Sequence, residues 1–499
     1  MTERLPHAPI GAPTRGPRAL IFELGAPESR CIEAPPLDVP LGVVDDLLGG
    51  YGRKIPPVLP NVTELEIMRH FAHLASMNFG VDSGMYPLGS CTMKYNPRIN
   101  EDACRLRGFA GLHPYQPEET VQGALELMVG LSDALAEITG LPGVSLQPAA
   151  GAHGELAALM VFRAALTARG DARKKVVIPD TAHGTNPASV TMCGWETVTI
   201  PSNERGEVDV DALKAVLDTD VAAFMLTNPN TVGLFDENIL AITEAVHAVG
   251  AFAYCDGANL NAILGKTRPG DMGFDAMHIN LHKTFSTPHG GGGPGSGPIC
   301  VTEELAPFLP GPIAVEFEDG GFGLGWPEQT IGRVRAGYGN FGVLVRAYAY
   351  VRALGSRGLT EVAEQAVLSA NYLKSKLEGT FEVPYGRTCM HEFVMSGARQ
   401  KREYGVRTLD MAKRLLDYGF HPPTVYFPML VEEGMMIEPT ETEPLDALDA
   451  FVSVMLTIAV EAETDPDLVK SAPYTTPVRR LDEAGAARNP DLRYRPADA

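Results

Sequence analysis

Four stretches hold residue types that could act together on one small molecule. In the first, Asn280-Leu281-His282-Lys283-Thr284-Phe285 follows a short apolar run, Met277 to Asn280, and leads into glycines between Gly290 and Gly297. A lysine there is either a surface charge or the amine that holds an aldehyde cofactor as an imine. The second is Asp256, after the apolar run Ala251 to Cys255 and before Gly257-Ala258-Asn259. A carboxylate at the end of a buried strand is costly unless paired. It could cap the next segment or hold a protonated ring nitrogen. The third is Ala149-Ala150-Gly151-Ala152-His153-Gly154-Glu155, ahead of the apolar run Leu156 to Leu166. Small residues before a helix let backbone N–H groups approach an anion, and the helix dipole favours it. A plain tight turn with a cap would use the same residues. The fourth is Asp180-Thr181-Ala182-His183-Gly184-Thr185-Asn186-Pro187, where His183 follows a strand-like run. A lone histidine there is usually structural, but Thr185 and Asn186 beside it favour a site.

An anion cradle, a flat ring, a carboxylate and a lysine are together what pyridoxal phosphate needs. Its phosphate takes helix N-terminal amides, its pyridine nitrogen an acid partner, and its aldehyde an amine. Two other motifs fail. Gly265-Lys266-Thr267 resembles the end of a phosphate-binding P-loop, but Leu260 stands where a glycine is required. His391-Glu392 begins like a zinc-protease motif, but Met395 stands where the second histidine belongs. His70 and His73 read as helix-surface or core residues, so no metal is expected.

The elements that must position these groups follow from hydrophobic periodicity. Runs at Lys175 to Pro179, Thr197 to Ile200, Val221 to Leu226, Ala251 to Cys255 and Pro298 to Val301 read as strands. Helices are predicted at Glu119 to Thr139, Asp211 to Leu217 and Glu237 to Val249. Such alternation argues for a parallel sheet covered on both faces, with ligands at the carboxyl ends of its strands. After about Arg346 the pattern becomes a smaller α+β domain. A helix spans Leu359 to Leu377 and short strands lie at Phe381 to Pro384 and Glu392 to Met395. A helix at Leu409 to Tyr418, a strand pair joined at Glu432-Glu433-Gly434 and a last helix from Leu445 to Val460 complete it. The expected organisation is an N-terminal arm and helix over 1–75, a large domain over 76–345, a small one over 346–465 and a tail over 466–499. In the arm, Pro and Gly break regular structure up to about residue 60; Leu65, Ile67, Met68, Phe71 and Leu74 then mark an amphipathic helix.

Bulk properties bound the function. A chain of 499 residues with 45% hydrophobic content suits a soluble globular protein of two or three domains, and a net charge of −21 argues against nucleic acid or anionic membrane as partners. Seven scattered cysteines without a CxxC pair argue against a disulfide framework or a structural zinc site, and fit a reducing cytosol. Cys91 and Cys389 are expected to be ordinary thiols. Met1 to Leu20 does not read as a secretory signal.

The strings MYPLGSCTMKYNP (85–97), QPAAGAHGE (147–155), AHGTNPAS (182–189), LTNPNT (226–231), DGANLNA (256–262) and NLHKTFSTPHGGGGPGSG (280–297) resemble the P-protein of the glycine cleavage system, the decarboxylating glycine dehydrogenase. The resemblance spans about residues 60 to 440. It implies an α/β fold of pyridoxal-phosphate fold type I, with an aspartate-aminotransferase-like large domain and a smaller α+β C-terminal domain. It implies that Lys283 forms the Schiff base, Asp256 partners the pyridine nitrogen and His183 stacks on the ring. Gly151, Ala152 and His153 fall in the implied phosphate loop, and Thr227, Asn230, Ala258 and His282 in other cofactor-binding strings. Ser90, Thr92, Lys94, His113, Tyr115 and Asn259 are implied near the substrate. The single-chain P-protein has two homologous halves, and this chain resembles the lysine-bearing one, subunit 2 of the split form. The partners implied are subunit 1, in an α2β2 heterotetramer, and lipoylated H-protein; the implied substrate is glycine. Two rivals stand beside this reading: a stand-alone decarboxylase or aminotransferase of the same fold, needing neither partner, and a non-catalytic subunit, which the lysine counts against.

Overall fold

The computed structural model describes residues 19–25, 35–40, 42–55, 57, 59–289 and 295–493. Much of the expected arm, Cys31 and residues 290–294 of the glycine run therefore lie outside the described residues. Gly84–Leu415 and Phe420–Ser471 make one compact unit, and the other described residues make a second. In the second unit, Val44–Leu48 is helical within the segment expected to be irregular. Helix α1 (Glu64–Ser76) opens with a capping box: Thr63 Oγ1 accepts from the Glu66 N–H at 3.3 Å, and the Glu66 carboxylate accepts from the Thr63 N–H at 2.7 Å. Along the amphipathic stripe Ile67 and Leu74 are partly buried, while Leu65, Met68 and Phe71 are each more than half exposed.

The main unit is built on a seven-stranded sheet. Its strands are β1 (Gly143–Ser145), β2 (Lys175–Pro179), β3 (Glu196–Ile200), β4 (Val221–Thr227), β5 (Phe252–Gly257), β6 (Ala276–Ile279) and β7 (Ile299–Val301). The order is β1-β7-β6-β5-β4-β2-β3. The five strands β2 to β6 run parallel, as hydrophobic strands alternating with helices dictate. The sheet is nevertheless mixed: β7 is antiparallel to both β6 and β1. Among the described residues between Phe285 and Ile299 there is no crossover helix, which a parallel β7 would need.

Strand β4 shows why the sheet must be covered twice. Phe224 and Leu226 enter one core, Ala223 and Met225 the other, and all are buried. The first core takes side chains of α2 (Gln122–Thr139), and the second takes those of α3 (Gly151–Ala168) and α4 (Thr185–Met192). Helix α5 (Ile239–Ala248) joins the first core, and α6 (Leu281–Thr284) is the single turn that carries Lys283.

Beyond a β8–β9 hairpin (Ile313–Glu316 and Phe322–Gly325) comes α7 (Phe341–Leu377). It is longer than the expected Leu359 to Leu377 and contains the expected boundary at 345/346. Gly355, at φ 61° and ψ −176°, breaks it into two helical runs, a conformation that glycine alone adopts without strain. Strands β10 (Phe393–Ser396), β11 (Thr424–Val425) and β12 (Gly434–Ile437) form a small antiparallel sheet, and α8 (Leu445–Thr464) packs against α7. The strand expected at Phe381 to Pro384 shrinks to one bridge, Glu382 to Ser396. The helix expected at Leu409 to Tyr418 spans Thr408–Asp417.

Candidate active site

Strand register builds the centre of the site. Thr227 on β4 pairs with Asp256 on β5, and Asp256 pairs with His278 on β6. Three polar side chains therefore stand in a row at the carboxyl end of the sheet. They line a cavity of about 200 Å³ together with Gly151, Ala152, His183, Ala258, His282 and Lys283.

Asp256 is buried yet ionised. Its Oδ1 accepts from the Ala258 N–H at 3.0 Å, and its Oδ2 accepts from Asn186 Nδ2 at 3.2 Å. Burial pushes its carboxyl up, but His278, the Ala258 N–H, the Lys283 charge and Asn186 outweigh that and hold it below the usual range. Tyr254 Oη lies 2.5 Å from His278 Nδ1, and His278 Nε2 is 3.5 Å from Asp256. Burial, the largest influence on His278, holds the ring neutral. If the Tyr254 hydroxyl donates to Nδ1, the imidazole proton sits on Nε2, towards Asp256. On the other side, Glu155 accepts from Thr185 Oγ1 at 2.7 Å and from Asn186 Nδ2 at 2.9 Å, which ties α3 to α4 beneath Asp256.

The anion cradle is the start of α3. No side chain caps this end, so its first N–H groups have no intrahelical partner. Gly151 is required there: a Cβ would lie 2.3 Å from Asn280 Oδ1. Gly297 closes the other side, where a Cβ would meet Ala150 O at 2.0 Å. The described end of the glycine run is thus packed backbone against this cradle. The His153 ring turns away from the cavity and accepts the Ala149 N–H at 3.1 Å, leaving only its backbone in the first turn of α3.

Lys283 faces the cavity from α6, directly after β6. His282 beside it packs edge-on against His289 at 5.1 Å, and burial pushes both imidazoles down, to about 3 and about 4. They are neutral neighbours of the lysine. His183 opens onto the cavity with Nδ1 3.1 Å from Thr185 Oγ1, its ring edge-on to Phe427. Desolvation lowers its imidazole too.

Several expected residues stand elsewhere. Asn230 is occupied by its own turn, accepting from the N–H groups of Val232 and Leu234 and donating to Gly206 O. Asn259 is buried and donates to Pro229 O at 2.9 Å. Lys94 is buried against Glu441 at 2.7 Å, Thr284 O at 2.8 Å and Tyr350 Oη at 3.2 Å. Burial would lower its ammonium, but Glu441 and Tyr350 hold it above the usual range. It anchors the 85–97 loop to α6. His113 and Tyr115 are exposed and contact each other. Of the 85–97 loop, Ser90 reaches the cavity, while Thr92 bonds Glu438. The described cysteines are all free, and burial pushes the thiols of Cys91 and Cys389 up to about 11 and about 12.

The sequence reading missed His278, Asn280, Glu392 and Glu438. His278 was hidden inside an apolar strand, where only register reveals an aspartate neighbour. Glu392 was visible in His391-Glu392 but was weighed only as a zinc motif. A charge opening the apolar strand Phe393–Ser396 was the usable signal.

The chain matches the family described as "Glycine dehydrogenase, C-terminal domain" over residues 362–473 and that described as "Aminotransferase class-V" over residues 153–380. It is 58% identical over 480 residues to a probable glycine dehydrogenase (decarboxylating) subunit 2 of Oceanobacillus iheyensis, covering 96% of this chain and 99% of that one. The protein of the same description from Caldanaerobacter subterraneus is 57% identical over 479 residues, covering 95% and 98%. Among solved structures, a glycine decarboxylase (P-protein) of the glycine cleavage system in inhibitor-bound form is similar with a TM-score of 0.69 at 22% identity, over 83% of this chain and 95% of that one. A cysteine desulfurase from Escherichia coli is similar with a TM-score of 0.59 at 17% identity, over 76% and 95%. The last two share the fold. With near-complete coverage at more than half identity, this chain belongs to the glycine dehydrogenase (decarboxylating) subunit 2 family.

Proposed function

We propose that this chain is the lysine-bearing subunit of a split glycine dehydrogenase. It decarboxylates glycine with pyridoxal phosphate in the cytoplasm and passes the aminomethyl group to the lipoyl arm of an H-protein. Subunit 1 completes the enzyme in an α2β2 assembly. The observation that carries this reading is the convergence on one cavity of an uncapped helix N-terminus, an ionised Asp256 and Lys283. The cavity residues fit the cofactor: Thr227 Oγ1 is buried without a partner there, and the close approach of Gly151 to Asn280 leaves the backbone of the cradle bare.

Bound there, the cofactor supplies an electron sink for the bond broken at the glycine α-carbon. The N–H groups of α3 hold its phosphate, assisted by the helix dipole. Asp256 keeps a proton on the ring nitrogen, because its own charge is fixed by the Ala258 N–H, Asn186 and His278. Lys283 Nζ is the attaching amine. Neutral His282 and His289 leave it without a cationic neighbour on that side. His183 presents its ring to the cavity.

The decisive experiment reconstitutes Lys283→Ala with subunit 1 and H-protein. The expected result is loss of bound-cofactor absorbance and a fall of at least about 10³-fold in H-protein-dependent CO2 release from glycine. A normal rate in that variant overturns the assignment, and turnover without H-protein or a second subunit points to a stand-alone decarboxylase.

A further inference from the structure

Glu392 and Glu438 sit beside the cavity, fully buried, with no part in the chemistry above. Glu392 immediately precedes β10 and Glu438 immediately follows β12. Because Phe393 pairs with Ile437, continuing the antiparallel register sets the two carboxylates opposite each other. Neither has a lysine or arginine ion pair among the described residues; the only cationic partner type within 4.0 Å is His391. Both hold one loop. Glu392 Oε2 accepts from the Ser90 N–H at 2.6 Å, and Glu438 accepts from the Thr92 N–H at 2.8 Å and from Thr92 Oγ1 at 2.6 Å. Ser90 and Thr92 stand at φ 62° and 50°, left-handed conformations that side chains resist. Three buried atoms are left over: Glu392 Oε1 and both ring nitrogens of His391, of which Nε2 lies 3.7 Å from Glu392 Oε1.

Two buried carboxylates side by side do not both ionise. Glu438 has two donors and Glu392 one, so the charge belongs on Glu438. A proton on Glu392 Oε1 turns Oε1 and the facing His391 Nε2 into a donor and an acceptor, with the imidazole proton on Nδ1. We propose that Glu392 and Glu438 form a one-proton carboxylate pair, Glu392 a carboxylic acid aimed at His391 and Glu438 ionised, which holds the Ser90–Thr92 loop against the Lys283 cavity.

The surroundings agree. Burial, then the neighbouring Glu438, pushes Glu392 well up; burial also raises Glu438. Burial pushes His391 down to about 3, so its ring is free to accept. The other titratable groups acting on the pair are Lys283, Glu441, Cys91 and Cys389. The three side chains also have a geometry that could take a cation, since their ligand atoms lie within 4.8 Å of one another. Three of the four carboxylate oxygens already accept from the loop, and Lys283 supplies a nearby positive charge. A proton therefore satisfies the cluster with fewer charges.

These are positioning residues, and their importance rests on Lys283 being the attaching amine; their protonation does not. Infrared difference spectra of the full chain, co-expressed with subunit 1 and free of cofactor, test the proton directly. At about pH 9 both Glu155 and Glu443, each raised to about 7, are ionised. One buried carboxylic-acid C=O band is expected to remain and to vanish in Glu392→Gln. That variant, shaped like the acid, is expected to keep its melting temperature and its dissociation constant for pyridoxal phosphate within twofold. Glu438→Gln, which loses the charge that accepts two bonds, is expected to weaken cofactor binding at least tenfold. The proposal is overturned by a band that persists in Glu392→Gln, by equal damage from both variants, or by a stoichiometric metal ion that Glu392→Gln removes. Failure of the Lys283 assignment would show separately, as cofactor absorbance surviving in Lys283→Ala while the infrared result stands.

Discussion

Asp256 lies near the end of β5 and Glu392 just ahead of β10, and both are cut off from solvent. Depth alone would treat them alike, since burial raises either carboxyl. Their partners separate them. Asp256 meets a backbone N–H, the Asn186 amide, the His278 ring and the charge of Lys283, and remains an anion. Glu392 meets one N–H and a like charge across the strand pair, and takes a proton. The site thus uses one carboxylate as a charge and the other as a hydrogen-bonding acid. Partner count decides which is which.

The largest effect that tests this contrast is expected at Asp256. Asp256→Asn keeps the shape and removes the charge, so kcat is expected to fall about 10³-fold, about 4 kcal/mol of barrier. The measurement is steady-state CO2 release with saturating H-protein. A loss under about threefold would mean that the charge is not used. Next comes Lys94, which the structure makes an anchor. Lys94→Met leaves Glu441 buried without its cation, and stability to urea is expected to drop by about 3–5 kcal/mol. Unchanged stability with a raised KM for glycine would return Lys94 to the substrate, as its loop had suggested.

The same contrast explains what could be read from the sequence. Strands β2, β4 and β5 were legible because a strand buried on both faces must be apolar throughout, and the residue types at their carboxyl ends were legible as chemistry. The direction of β7 was not, since three residues carry no sign of parallel or antiparallel pairing. Ser90, Thr92 and Lys94 look alike in sequence, as polar groups in one glycine- and proline-containing loop. Only the fold sends Ser90 to the cavity, Thr92 to Glu438 and Lys94 to Glu441. His113 and Tyr115 rested on resemblance, and within this chain they remain exposed. The pairing of Glu392 with Glu438 joins positions 46 residues apart in sequence, and it arises from β10–β12 register, which no local pattern encodes.

Glu155 lies between the two extremes and offers the smallest and sharpest test. It accepts from Thr185 and Asn186, yet burial and then the Asp256 charge push it up from 4.5 to about 7. The folded chain therefore keeps a proton on Glu155 that the unfolded chain has released. Between about pH 4.5 and 7 the native state binds more protons, so this group's stabilisation is complete at the acid end and lost as pH rises through 7. Glu155→Gln cannot ionise and should flatten this stretch of the stability curve. Its unfolding free energy is expected to match the parent at about pH 5 and to exceed it at about pH 8, by about 2–3 kcal/mol. A parallel shift at both pH values would mean that Glu155 is ionised throughout. In that case Asp256 and Glu155 would stand as two buried charges, and partner count would no longer predict which buried carboxylate in this site keeps its proton.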